Sequence, residues 1–189
     1  MQRRIAVLLV AVLVAAALPG AASTFLARTS EELVADSSAV VAGHVVSVES
    51  FWNDDHSLIL TEIVFEVERS VVGHAPRYVT VQTAGGTVDG YTVVAHGFPV
   101  FREGERALLF VTPSGTAERF RVTGYQQGHY RVVRNRQGED IAVPTVDSGA
   151  YLAGPSGRLI PAPRAQRLSD LEQQLRDVAR HLERFVPTQ

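Results

Sequence analysis

The apolar positions of this chain change rhythm several times, and each rhythm predicts a different element. Ile5 to Leu18 is an unbroken apolar run of 14 residues, entered through Arg3-Arg4 and left through Pro19-Gly20-Ala21-Ala22. A helix that spans a membrane needs roughly 20 apolar residues. The short run, its cationic start, the helix-stopping proline and the small residues at 20 and 22 together read as a cleavable signal peptide over residues 1–22. No cysteine follows the run, so the pattern is not that of a lipoprotein anchor.

Downstream, Thr29-Ser30-Glu31-Glu32 ahead of Leu33-Val34-Ala35 is a capping-box pattern and predicts a short helix over 30–37. Ala39 to Val48 is rich in β-branched and small residues, the mark of a strand partly buried on both faces. From Leu58 to Val72 the rhythm becomes strict alternation. Ile63, Phe65 and Val67 take turns with Glu62, Glu66 and Glu68, which gives an antiparallel strand one apolar and one acidic, wet face. Further strands are predicted at Tyr78–Thr83, Tyr91–His96, Arg106–Val111 and Glu139–Val143. Arg119–Tyr125 and His129–Arg134 are expected as a hairpin-like pair around Gln126-Gln127-Gly128. Turn chemistry separates the strands at Asn53-Asp54-Asp55-His56, Gly73-His74-Ala75-Pro76, Gly85-Gly86, Arg102-Glu103-Gly104-Glu105 and Pro113-Ser114-Gly115. Short strands at this spacing mean a sandwich or a barrel.

Residues 144–166 carry repeated proline and glycine and are expected as a surface loop rather than a strand region. The rhythm then turns helical. Leu168, Leu171, Leu175, Val178, Leu182 and Phe185 form one stripe, with Ser169 and Glu172 as the expected cap. Glu172 and Arg176 stand at a favourable i,i+4 spacing. The stripe is shorter than coiled coils need, so a helix over 167–186 packed on the β domain is the reading.

Composition narrows the function. The expected mature chain, Ser23–Gln189, is long enough to bury a core without covalent staples, and the sequence contains no cysteine. That removes thiol catalysis, redox shuttling and cysteine-bound zinc. Without Arg3 and Arg4 the mature chain has 16 basic against 20 acidic side chains, a net charge of −4, and no dense basic stripe. Nucleic acid is therefore not expected as a partner. No second segment is apolar enough to span a bilayer.

Catalytic signals are weak. His44, His56, His74, His96, His129 and His181 include no i,i+4 pair and no H-E-x-x-H motif, so no metal site is assigned. Asp147-Ser148-Gly149-Ala150 resembles the active-site tetrapeptide of retroviral-type aspartic proteases, but those enzymes need a long β chain after it, and here a helix follows. Ser148 and Ser156 lack the G-x-S-x-G elbow, and Gly85-Gly86 lacks the helix of a phosphate loop. No cofactor is implied.

Several stretches between 30 and 111, under half of the chain, resemble the netrin-like or tissue-inhibitor-of-metalloproteinase-like OB barrel of exported bacterial proteins. They are Glu31–Asp36, Ala39–Val48, Val64–Gly73 with its terminal glycine, and Glu103–Phe110, a G-E-x-x-L-L strand. The resemblance implies a mainly β fold over 23–143, an OB-like antiparallel barrel with a short amino-terminal and an amphipathic carboxy-terminal helix. Inhibitors of this type chelate the protease zinc through an amino-terminal cysteine. The expected mature terminus here is Ser23-Thr24-Phe25, so the implied fold comes without that chemistry.

In such a barrel the loop between the first two strands lines the usual binding face. Here it is Phe51, Trp52, Asn53, Asp54, Asp55 and His56, with the only tryptophan of the chain beside two acids. Two readings stand: a protein-binding loop, or aromatics that cap the barrel end. The functional expectation is an exported, non-enzymatic binding or inhibitor-like module directed at another secreted or envelope protein, periplasmic or extracellular. A histidine-metal hydrolase and a self-associating envelope protein are the alternatives.

Overall fold

A computed structural model describes residues 24–115, 119–146, 151–153, 159–160 and 163–185. The segment read as a signal peptide, residues 1–22, lies outside them, as do Asp147-Ser148-Gly149-Ala150 and Ser156. Strand predominates over helix, and the fold is mainly β with a carboxy-terminal helix.

After a short strand β1 (Thr24–Leu26), the predicted capping box opens α1 (Ser30–Ala35). The Glu32 N–H donates to Thr29 Oγ1 at 3.2 Å, and the Thr29 N–H donates to the Glu32 carboxylate at 2.8 Å. These reciprocal bonds satisfy amides that the first helical turn leaves without partners. The main strands are β2 (Ala39–Trp52), β3 (Ile59–Gly73), β4 (Tyr78–Ala84), β5 (Gly86–Val88), β6 (Tyr91–Val93), β7 (Arg106–Pro113), β8 (Arg119–Val122), β9 (His129–Arg134) and β10 (Asp140–Pro144). Short pieces β11 (Tyr151–Ala153), β12 (Leu159–Ile160) and β13 (Gln166–Arg167) lead to α2 (Leu168–Phe185).

Eight strands make one sheet in the order β13-β10-β9-β7-β2-β3-β4-β8. β8 also pairs with β7 through Val111↔Val122, Thr112↔Arg121 and Pro113↔Phe120. The pairings β7–β2–β3–β4–β8 thus return to β7. One link, β4 with β8, is parallel, so the sheet is mixed and not antiparallel throughout as expected.

Alternation in β2 and β7 divides the interior in two. Val41 and Val45 with Ala107, Leu109 and Val111 face Ile63, Phe65, Val79 and Val81 in one core. Val40 and Ala42 with Leu108 and Phe110 face the helices, meeting Leu33, Val34, Tyr130, Leu171 and Leu175 in the other. The first half of β2 is therefore buried on both sides, as its sequence suggests. Gly43 is required there: a Cβ would sit 1.9 Å from the Glu66 carbonyl oxygen, beside a register shift between β2 and β3.

Helix α2 buries Leu168, Leu171 and Leu175, with Val178, Ala179 and Leu182 packed at the margin. The expected cap at Ser169 is corrected: Ser169 lies inside the helix, and the buried Glu172 is used otherwise. Glu172 accepts from Arg69 Nε on β3 at 2.9 Å and from Arg176 at 3.0 Å, the predicted i,i+4 pair. An ion pair, not a cap, ties the helix to the sheet.

Three further expectations are corrected. β8 and β9 do not pair with each other. They lie end to end along one edge of β7, β8 against Val111–Pro113 and β9 against Ala107–Leu109. Gly124 and Tyr125, both at positive φ, and the 3-10 turn Tyr125–Gly128 interrupt what is otherwise one line of pairing. The glycine pair Gly85-Gly86 is not the hairpin turn, because Gly86 begins β5. The turn is Asp89-Gly90, at φ of 49° and 81°, the positive values a tight two-residue hairpin demands. Finally, the stretch 144–166 includes strand: Tyr151–Ala153 pairs in parallel with Thr24–Leu26 and antiparallel with β12. Short apolar pieces between the prolines and glycines suffice for such pairing.

Candidate functional site

The loop expected over Phe51–His56 is displaced by two residues along the chain. Aromatic residues suit strands, and Phe51 and Trp52 continue β2, paired with Leu60 and Ile59. The turn proper is Asn53 to Leu58, and Asn53 organises it. Its Oδ1 accepts the N–H groups of Ser57 and Leu58, both at 2.9 Å. Its N–H donates to the Leu58 carbonyl, and its carbonyl accepts from the His56 N–H, again at 2.9 Å. Asp55 Oδ1 accepts from the Ser57 hydroxyl at 2.6 Å and from its N–H at 3.1 Å. Those two bonds, the hydroxyl first, hold the Asp55 carboxyl below the usual carboxylate range. The net holds His56 at a φ of 56°, a conformation that few side chains adopt unaided.

This turn presents rings. His56 stacks on Trp52 with 6.3 Å between centroids and 18° between planes. Trp52 also meets Tyr91 edge to face, at 6.1 Å and 64°. Tyr91 opens β6 and is 67 % exposed; Trp52 is half-buried, and His56 is exposed. Phe51 and Asn53 are half-buried, while Asp54 and Asp55 are exposed. Two hairpins, β2–β3 and β5–β6, thus bring Trp52, His56 and Tyr91 into one aromatic surface flanked by two acids. The Thr87 and Thr92 hydroxyls, 2.9 Å apart, pin the second hairpin across its strands. Sequence reasoning missed Tyr91. The signal was present in Asp89-Gly90, a strong hairpin dipeptide between Val88 and Tyr91.

The histidines serve other ends. His44 on β2 lies 3.7 Å from Glu66 and 3.4 Å from Glu68, on the wet face of β3. The acids of that face are matched by cations: Glu66 with Arg77 at 2.9 Å and Glu62 with Arg119 at 3.0 Å. His129 is fully buried. Its Nε2 is 2.9 Å from the buried Glu105 carboxylate, and its ring stacks on Phe101 at 4.5 Å. Burial pushes the His129 pKa down and outweighs the pull of Glu105, so the ring is held neutral. Its Nδ1 has no hydrogen-bond partner among the described residues. Among the described residues no three His, Asp or Glu side chains are grouped to hold a metal ion, and no helix is long and apolar enough to cross a membrane.

Comparison with protein-family models and with curated proteins finds no match for the chain.

Proposed function

We propose that the mature chain is an exported, non-enzymatic binding module, an OB-like barrel that recognises another secreted or envelope protein through Trp52, His56 and Tyr91. The return of the strand pairings to β7, with β4 and β8 as the parallel pair, supports the barrel. The observation that carries the function is the aromatic surface itself: three rings from two hairpins, with His56 on a turn held by its own hydrogen bonds. Aromatic rings supply contact area with few rotatable bonds, and rigidity before binding lowers the entropy lost on binding. Asp54 and Asp55 add charge at the rim, suited to a partner with basic residues around an apolar centre.

The test uses immobilised wild type and the double variant Trp52→Ala/Tyr91→Ala in parallel against envelope extract and culture supernatant. The expected result is a protein retained by the wild type, lost with the variant, and bound again when purified. Equal retention by both forms overturns the reading. A dimer in light scattering that dissociates in the variant assigns the surface to self-association instead.

A further inference from the structure

We propose that a second site, a cavity beside the Tyr125–Gly128 turn, binds small monocarboxylates with an aromatic or aliphatic body. The cavity has a volume of about 740 Å³ and shares no residue with the Trp52 surface. That size suits a small organic ligand.

Its charge is specific. Arg28 and Arg121 both line it, but Arg28 is already paired with Asp36, which lines it too. Arg121, on β8, is exposed and has no carboxylate partner among the described residues, whereas its strand neighbour Arg119 is paired with Glu62. Among the described residues, one uncompensated guanidinium lines the space. A guanidinium matches a carboxylate with two parallel N–H···O bonds, and a single unpaired cation suits a monoanion better than a phosphate dianion.

Part of the remaining wall is apolar, beside the polar side chains of Gln82, Thr83 and Thr112. Phe98 and Tyr125 meet edge to face at 4.9 Å, and Pro99 and Leu26 continue the surface. Leu26 is 73 % exposed, bare apolar area that a ligand body would cover. The wall is also fixed in advance. Gln127 accepts from the Arg28 N–H and donates to the Leu26 carbonyl, each at 2.9 Å, and the Gln126 N–H donates to the Gly97 carbonyl at 3.0 Å. Tyr125 is held at a φ of 57°, a strained position of the kind that gathers at binding sites. Thr123, in the same lining, carries a buried hydroxyl with no hydrogen-bond partner among the described residues. Such a group calls for a polar atom that those residues do not supply.

Isothermal titration of the purified protein with 3-phenylpropionate, octanoate and a tripeptide ending in free phenylalanine tests the site. The corresponding amides serve as controls. Saturable binding of the acids and none of the amides is expected; preference for the tripeptide identifies a peptide carboxy terminus as the source, and preference for the simple acids a free metabolite. Arg121→Gln should weaken binding at least about tenfold, the scale of a lost charge-assisted pair, with the melting temperature unchanged. Thr123→Val, which keeps the shape and removes the hydroxyl, should weaken it less, and Trp52→Ala not at all. No binding at millimolar acid, equal binding of acids and amides, or full affinity in Arg121→Gln overturns the proposal.

Discussion

The two halves of β2 do different work. From Ala39 to Val45 the strand lies between β3 and β7, and nearly every side chain is buried, on one side in the core with Ile63 and Phe65 and on the other against the helices. From Val46 to Trp52, among the described residues, β3 is its only paired strand, and no side chain is buried. The sequence changes at the same point, from Ala, Val and Gly to Ser, Glu and aromatics. A strand held on two edges and two faces has little freedom to carry anything but packing. The free half can vary its side chains without endangering the core, and there the aromatic surface is built.

The largest break in this comparison comes from the enclosed half. Leu109 on β7 pairs with Val41 and is fully buried. Leu109→Ala should cost about 2–5 kcal/mol of stability, from lost burial and the cavity left behind. Val46→Ala, on the free half and 46 % exposed, should stay within about 0.5 kcal/mol. Denaturant unfolding of the pair measures both, and similar losses would refute the division. Gly43→Ala is expected next, at about 1–3 kcal/mol, because the new Cβ meets backbone of β3 that cannot move aside without parting the strands.

Much of this was legible in the sequence, for local reasons. The capping box at Thr29, the alternation through Ile63 and Phe65, the run Ala107–Val111 and the stripe through Leu168, Leu171 and Leu175 each depend on neighbours within a few residues, and each forms the expected element. What failed to show depends on partners far away. Glu172 looks like a capping residue until Arg69, 103 positions earlier, is beside it. Arg119–Val122 and His129–Arg134 look like a hairpin because the edge of β7 that they share is invisible in their own sequence. Of the candidate surface, the six-residue loop was visible but Tyr91 was not, since its contact with Trp52 spans two hairpins.

A smaller effect should appear on acidification. His129 is buried neutral against Glu105, with Arg131 3.5 Å from the other carboxylate oxygen. Its folded pKa lies below the ordinary value of 6.5, so the unfolded chain takes up the proton first. The stability this supplies is complete above pH 6.5 and is lost as pH falls toward the folded pKa, by at most about 1.4 kcal/mol per pH unit. His129→Gln keeps a donor for Glu105 and removes the titration. Its melting temperature should fall less than that of the wild type between pH 7.5 and pH 5, and parallel curves would remove His129 from the account.

Only a small stability effect is expected where the functional effect is largest. Trp52 is half-buried, belongs to neither core, and meets two ring neighbours, His56 and Tyr91. Aromatic pairs of this kind contribute about 0.5–1.5 kcal/mol, so Trp52→Ala should lower stability by about 1 kcal/mol, far below the 3–5 kcal/mol of a core tryptophan. The turn beneath it does not depend on the indole, because Asn53 and Asp55 hold it through bonds to Ser57 and Leu58. Truncation should therefore leave the hairpin in place and remove only the contact area it presents. At an interface the same change typically costs about 2 kcal/mol or more of affinity. Thermal melts of Trp52→Ala decide between the two roles before a partner is in hand. A small loss of melting temperature keeps the ring at the surface, and a loss on the scale of Leu109→Ala makes it part of the packed interior.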